Sequence, residues 1–153
     1  MPASPHQLAT LDRVLELVVL LDADMTQALA RDGLTKSRAP VVWALQQHGP
    51  STQKALADRL GTTPRNVTGL VDGLVATGFV TREPHPTDRR ATLVSLTAQG
   101  RAVMEQMASD HDELAQQLFA AFGPRELETF AAGLGSVLDV IRAHLDDASD
   151  GAR

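Results

Sequence analysis

The sequence predicts a mostly α fold with a small β-wing, and three patterns along its 153 residues predict it. Two short helical patterns meet at a glycine-centred turn between Ser51 and Ala76. A hairpin pattern follows over residues 79–96, and long amphipathic stripes lie on either side of the whole unit. Helix, turn, helix and hairpin in that order make a winged helix-turn-helix, flanked here by N- and C-terminal dimerisation helices. The expected boundaries are residues 1–33 for the N-terminal helix, 34–97 for the winged region, 98–148 for the C-terminal helices and 149–153 for a disordered tail.

Each element has a local reason. Leu8, Leu11, Leu15, Val18, Met25 and Leu29 recur at helical spacing and form the first stripe. A second helix is expected over residues 35–48, where Val41, Val42, Ala44 and Leu45 surround Trp43. The first helix of the central pair starts at Ser51 or Thr52, whose hydroxyls suit an N-cap, buries Ala55, Leu56 and Leu60, and ends at Gly61. The second has Thr63 as its cap and Pro64 at the first helical position, where a missing N–H costs nothing. Val67, Leu70, Val71, Leu74 and Val75 then repeat at spacings that form one buried stripe.

Gly78 marks the end of that helix. Residues 79–82 read as a strand, 83–90 as a loop stiffened by Pro84 and Pro86, and 91–96 as the returning strand of a two-stranded wing. Thr97 caps the next helix, which carries Met104, Met107, His111, Leu114, Leu118 and Phe122 until Gly123-Pro124 breaks it. Leu127, Phe130, Leu134, Leu138, Ile141 and Leu145 form the last stripe.

The face of the second central helix opposite its buried stripe holds Arg65, Asn66, Gly69, Asp72, Gly73 and Ala76, with Thr68 at its border. Arg65 and Asn66 can each make two hydrogen bonds to a base edge in a DNA major groove. Gly69 and Gly73 weaken an exposed helix, which fits close backbone approach by another group and equally fits a glycine-rich composition. The hairpin tip carries Arg89 and Arg90 with His85 nearby, and guanidinium groups on a stiff arm are attracted into a minor groove. Asp88, two residues before Arg90, is expected to hold that guanidinium in one rotamer. The expected DNA-facing set is therefore Ser51, Thr52, Thr63, Pro64, Arg65, Asn66, Thr68, Gly69, Arg82, His85, Asp88, Arg89 and Arg90.

The runs Val67-Thr68-Gly69-Leu70-Val71-Asp72, Gly78-Phe79-Val80-Thr81-Arg82, Asp88-Arg89-Arg90-Ala91 and Val94-Ser95-Leu96-Thr97, followed by Gly100, resemble the multiple-antibiotic-resistance regulator (MarR) family. The resemblance is specific over about residues 34–100 and agrees with the helical layout of the whole chain. It implies that the helix starting at Thr63 reads a major groove, that Arg90 enters the minor groove and that Asp88 orients it. It also implies a small, often aromatic or phenolic, effector in a crevice between the dimerisation region and the reading head. Met25, Arg38, Trp43, Met107 and His111 are the residues here suited to line one, because Trp gives a flat apolar surface and Arg or His fixes an anionic group.

Composition narrows the function. There is no cysteine, so thiol-based oxidant sensing, a cysteine nucleophile and a Cys-ligated metal are excluded. His6, His48, His85, His111 and His144 are scattered without an i,i+4 pair, and neither a metal nor a cofactor is expected. No nucleophile elbow, phosphate loop or metalloprotease motif points to an enzyme. The longest N-terminal apolar run, residues 17–21, is flanked by Asp12, Glu16, Asp22 and Asp24, which fits neither a signal peptide nor a membrane span and leads to an expected cytoplasmic location.

The net charge of −5 divides unevenly. Residues 51–96 hold six basic against four acidic side chains (+2), and the remainder holds eight against fifteen (−7), so positive charge is confined to the reading head. A single weak head explains the outer stripes. Leu8, Leu11, Leu15 and Val18 with Leu127, Phe130, Leu134, Leu138, Ile141 and Leu145 are expected to bury against a second copy, presenting two heads to an inverted-repeat operator. The expected function is a homodimeric, sequence-specific regulator of transcription, a repressor released by a small aromatic or anionic effector. The alternative is a helical ligand-binding or protein-interaction module whose winged region docks a protein. A protein-docking wing is expected to expose apolar residues, whereas this one exposes Arg89, Arg90 and His85.

Overall fold

The computed structural model describes residues 1–150, with side chains described through residue 148. Its order is α1 (Pro5–Arg31), α2 (Ala39–His48), β1 (Ser51–Thr52), α3 (Gln53–Leu60), α4 (Pro64–Ala76), β2 (Val80–Pro84), β3 (Thr92–Leu96), α5 (Ala98–Phe119) and α6 (Pro124–Asp150). The chain is thus mostly helical with a small antiparallel sheet. It forms two compact units, Met1–Met107 and a second from Ala108 onward.

Local chemistry sets most boundaries. At the start of α1, Ser4 accepts from the Gln7 amide while Gln7 accepts from the Ser4 amide, a complete capping box. Helix α2 begins at Ala39, four residues later than expected. A start at residue 35 puts Pro40 inside the helix, where its missing N–H and ring oppose the i→i−4 bond, so residues 36–38 form a turn instead. Gly33 and Gly78 adopt φ of 76° and 81°, letting Leu34 and Phe79 fold back to donate to the Leu29 and Leu74 carbonyls at 2.8 and 2.9 Å. Both following residues are buried, so each turn also seals an edge of the core.

The sheet has three strands in the order β1-β3-β2, one more than the expected hairpin. The added strand pairs Ser51 with Val94 and Thr52 with Leu93. Between β2 and β3 the register runs from Val80 opposite Leu96 to Pro84 opposite Thr92. The core of the first unit gathers Val41, Val42 and Leu45 of α2, Leu56 of α3, Val67, Val71 and Leu74 of α4, and Val94 of β3, closed by Leu29 of α1 and Met104 of α5. Leu70 is only partly buried and Val75 is 38% exposed, so the buried stripe of α4 is narrower than its spacing predicts.

Thr97 ties α5 to this core. Its hydroxyl accepts from the Gly100 amide at 3.0 Å, capping the helix, and donates to the Gly78 carbonyl at 2.6 Å. In the second unit Phe119, Phe122 and Phe130 form a ring cluster with centroids 5.5–6.2 Å apart. Helix α6 runs through Asp150, into the stretch assigned to the tail; the rest of that stretch, residues 151–153, lies outside the described residues.

Candidate nucleic-acid interface

The outward side of α4 is built from its cap upward. The Thr63 hydroxyl accepts from the Asn66 amide at 3.2 Å, and Pro64 occupies the first turn. Arg65 and Asn66 follow, both exposed. The Asn66 Nδ2 donates to the Thr62 hydroxyl at 2.9 Å, which fixes its amide, whereas the Arg65 guanidinium has no hydrogen bond or ion pair among the described residues. Thr63, Arg65, Asn66, Gly69 and Leu70 line a shallow depression on this face.

The two glycines of α4 differ. A Cβ built on Gly69 meets nothing within 4 Å, so this glycine leaves the outward face open. A Cβ on Gly73 would overlap the Arg38 guanidinium, so that glycine seats the arginine against the helix. Arg38 is therefore engaged with α4 and does not line the crevice assigned to it.

Several expected contacts are redirected by partners inside the molecule. Ser51 is 5% exposed within β1, donates to the Gly49 carbonyl at 3.0 Å and accepts from Arg59 Nη1 at 2.8 Å. It neither caps α3 nor reaches the surface. Thr52 is the cap, accepting from the Ala55 amide at 3.2 Å. Arg82 pairs with Asp72 at 2.5 Å with its side chain 31% exposed, which ties β2 to α4 and occupies a guanidinium assigned to DNA.

At the wing tip, Asp88 Oδ1 accepts from the Arg90 backbone amide at 3.0 Å and makes no ion pair with its guanidinium. The nearer amide wins because that contact costs no long side chain its rotamer freedom. His85 Nδ1 accepts from the Thr87 and Asp88 amides at 3.3 and 3.1 Å, and the Ala91 amide donates to the Asp88 carbonyl at 3.0 Å. His85 and Asp88 thus shape the turn, leaving the exposed Arg89 and Arg90 guanidiniums without polar partners among the described residues.

One residue outside the expected set lies beside this face. Thr68 lies 2.8 Å from Gln53 Oε1 and 2.9 Å from the Pro64 carbonyl, bringing the first residue of α3 to the outward side of α4. Nothing local in the sequence marks Gln53, because its role depends on packing between two helices.

A second feature of the first unit is a groove of about 550 Å³ lined by Met25 and Leu29 of α1, Pro40, Trp43 and His48 of α2, and Arg59 and Leu60 of α3, with the Lys36–Asp22 ion pair at its rim. Of the expected crevice residues it contains Met25 and Trp43. Met107 instead packs against the core, and His111 is exposed on α5 in the second unit.

A sequence profile of the MarR family matches residues 32–91, the span from the end of α1 through the wing tip. The chain is 32% identical to the HTH-type transcriptional repressor YetL of Bacillus subtilis over 60% of its own length and 54% of YetL. It is 31% identical to the HTH-type transcriptional regulator YcgE of the same organism over 67% of its own length and 66% of YcgE. The chain belongs to the MarR family. It spans about half the length of YetL and about two thirds of YcgE. The crystal structure of MarR from E. coli superposes with a TM-score of 0.63 at 28% identity, covering 84% of this chain and 96% of that one. MarR proteins regulate transcription and are not enzymes. No described helix is long and apolar enough to cross a membrane.

Proposed function

We propose that this chain is a homodimeric repressor of transcription that binds an inverted-repeat operator in the cytoplasm and is released by a small molecule. The observation that carries the reading is that Arg65 on α4 and Arg89 and Arg90 on the wing keep exposed guanidiniums without polar partners among the described residues, while neighbouring polar groups are spent on the fold. Arg65 is the major-groove reader, supported by Thr63, Pro64, Asn66, Thr68 and Gly69. Arg89 and Arg90 are the minor-groove arm, held by His85 and Asp88.

Dimerisation is supported by the outer helices. All ten residues assigned to the interface, from Leu8 to Leu145, are 36–64% exposed in the single chain. Apolar stripes of that extent on α1 and α6 call for a partner surface, and a twofold axis places the heads one helical turn of DNA apart, about 34 Å. The repressor role follows YetL, whose name describes one. Effector release is supported by the groove beside Trp43 and Met25, an apolar hollow with basic groups at its edge that suits a small aromatic or anionic molecule.

A gel shift against the intergenic DNA beside its own gene, at two salt concentrations, tests the DNA-binding core of the proposal. A retarded band that weakens with salt is expected. Absence of any salt-sensitive band would refute it. Aromatic acids that raise the melting temperature and displace the operator support release, and thermal binding without displacement would remove that part.

A further inference from the structure

We propose that Gln53 is a further specificity-determining residue, a hydrogen-bond donor to base edges that Thr68 holds beside the reading face of α4. The inference rests on the DNA-binding reading above. Gln53 is the first residue of α3 and half-buried, and its Oε1 lies 2.8 Å from the Thr68 hydroxyl. That hydroxyl has one proton and two acceptors in reach, the other being the Pro64 carbonyl at 2.9 Å. The two contacts share that proton, with Gln53 the slightly shorter of the two.

With its oxygen anchored on Thr68, the amide is held with its nitrogen free. The Nε2 group of Gln53 has no hydrogen-bond partner among the described residues. Its place is set by Thr68, three residues after the free Arg65 and next to Gly69, where the helix leaves open space. A glutamine with both amide groups free pairs with adenine through N6 and N7. Here one lone pair of the oxygen is taken by Thr68, so the side chain is held with both Nε2 protons free, and that donor fits guanine O6 and N7, thymine O4 or adenine N7. A phosphate oxygen accepts the same donor, but a bond to phosphate carries no base preference.

The test selects duplexes from a random library with the full-length protein, then measures affinities for every single-base variant of the selected site at two salt concentrations. Gln53→Ala is expected to flatten the preference at one position in each half-site, by about 5- to 100-fold against the disfavoured base, and to leave other positions unchanged. Thr68→Val, which keeps the side-chain shape and loses the hydroxyl, is expected to weaken the preference at that same position, because the Gln53 amide is no longer held in one orientation. This second variant lies at an exposed position and keeps the test open if Gln53→Ala fails to fold.

Equal loss at all positions with a reduced salt slope would assign the amide to a phosphate and overturn base reading. An unchanged profile in either variant would leave Gln53 a role in joining α3 to α4 alone, and likewise overturn it. Selection of no duplex by the unaltered protein would instead sink the DNA-binding reading, and this inference with it.

Discussion

Replacing Leu134 and Leu138 of α6 with aspartate is expected to abolish the dimer and tight operator binding together. The two side chains are 39% and 41% exposed in the single chain, so each has about two fifths of its surface left to bury. Complete burial of a leucine stabilises by about 1.5–3 kcal/mol, which leaves about 1 kcal/mol per residue for association. A twofold interface repeats each position, giving about 4 kcal/mol for the pair, or roughly a thousandfold in the dissociation constant. Aspartate adds a further penalty, because a carboxylate placed in an apolar seam costs several kcal/mol if it stays charged. Sedimentation across a concentration series reads the assembly state, and gel shifts on full and half operators read the consequence. Circular dichroism supplies the control, since substitutions at surface positions are expected to leave the monomer's helix content intact. The reasoning is refuted if the unaltered chain sediments as a monomer at micromolar concentration. It is equally refuted if the double variant remains dimeric or holds the full site as tightly as the parent.

Two glycine substitutions of identical chemistry should differ in sign. In Gly100→Ala the new Cβ would overlap the Phe79 carbonyl oxygen, a backbone atom that cannot move aside, and a loss of about 3 kcal/mol is expected by chemical denaturation. In Gly73→Ala the obstruction is the end of the flexible Arg38 side chain, so eviction is cheap. Better helix propensity should leave stability unchanged or raised by up to about 1 kcal/mol in the same assay. Equal destabilisation by both would contradict the steric distinction. For the arginines, Arg90→Ala is expected to weaken binding to every sequence and to lower the salt slope by about one for each phosphate charge that is no longer neutralised, as measured by titration at several salt concentrations. Arg65→Ala is expected to relax preference at particular positions by about 1–3 kcal/mol, and uniform loss there would exclude direct base readout.

The parts of this fold legible in the sequence are those whose energy resides between near neighbours. Thr63 with Pro64, Gly61, Gly78 and Thr97 set helix ends through interactions within a few residues, and each stands where its local chemistry predicts. The outer stripes are legible for a related reason, since periodicity alone shows that α1 and α6 carry apolar faces. Ser51 shows where this fails. It offers the same capping hydroxyl as Thr52, and the choice between them is made by pairing with Val94, far along the chain, which draws Ser51 into a strand and buries it.

The polar residues of the reading head obey the same division more severely, because each has several partners competing for it. Spacing alone gives Asp88 the Arg90 guanidinium, but the Arg90 amide lies nearer and needs no ordered side chain. Arg82 has the right charge for DNA, yet Asp72 is close enough to claim it. Arg38 suits an anion site, yet Gly73 opens a seat for it on α4. Spacing shows which groups can reach a duplex, and only the folded partners show which are still free to do so. That subtraction leaves Arg65, Arg89 and Arg90 from the expected set and adds the amide nitrogen of Gln53. Selectivity in this head should therefore depend on a few unspent donors, with the surrounding hydroxyls, carboxylates and His85 acting to hold them still.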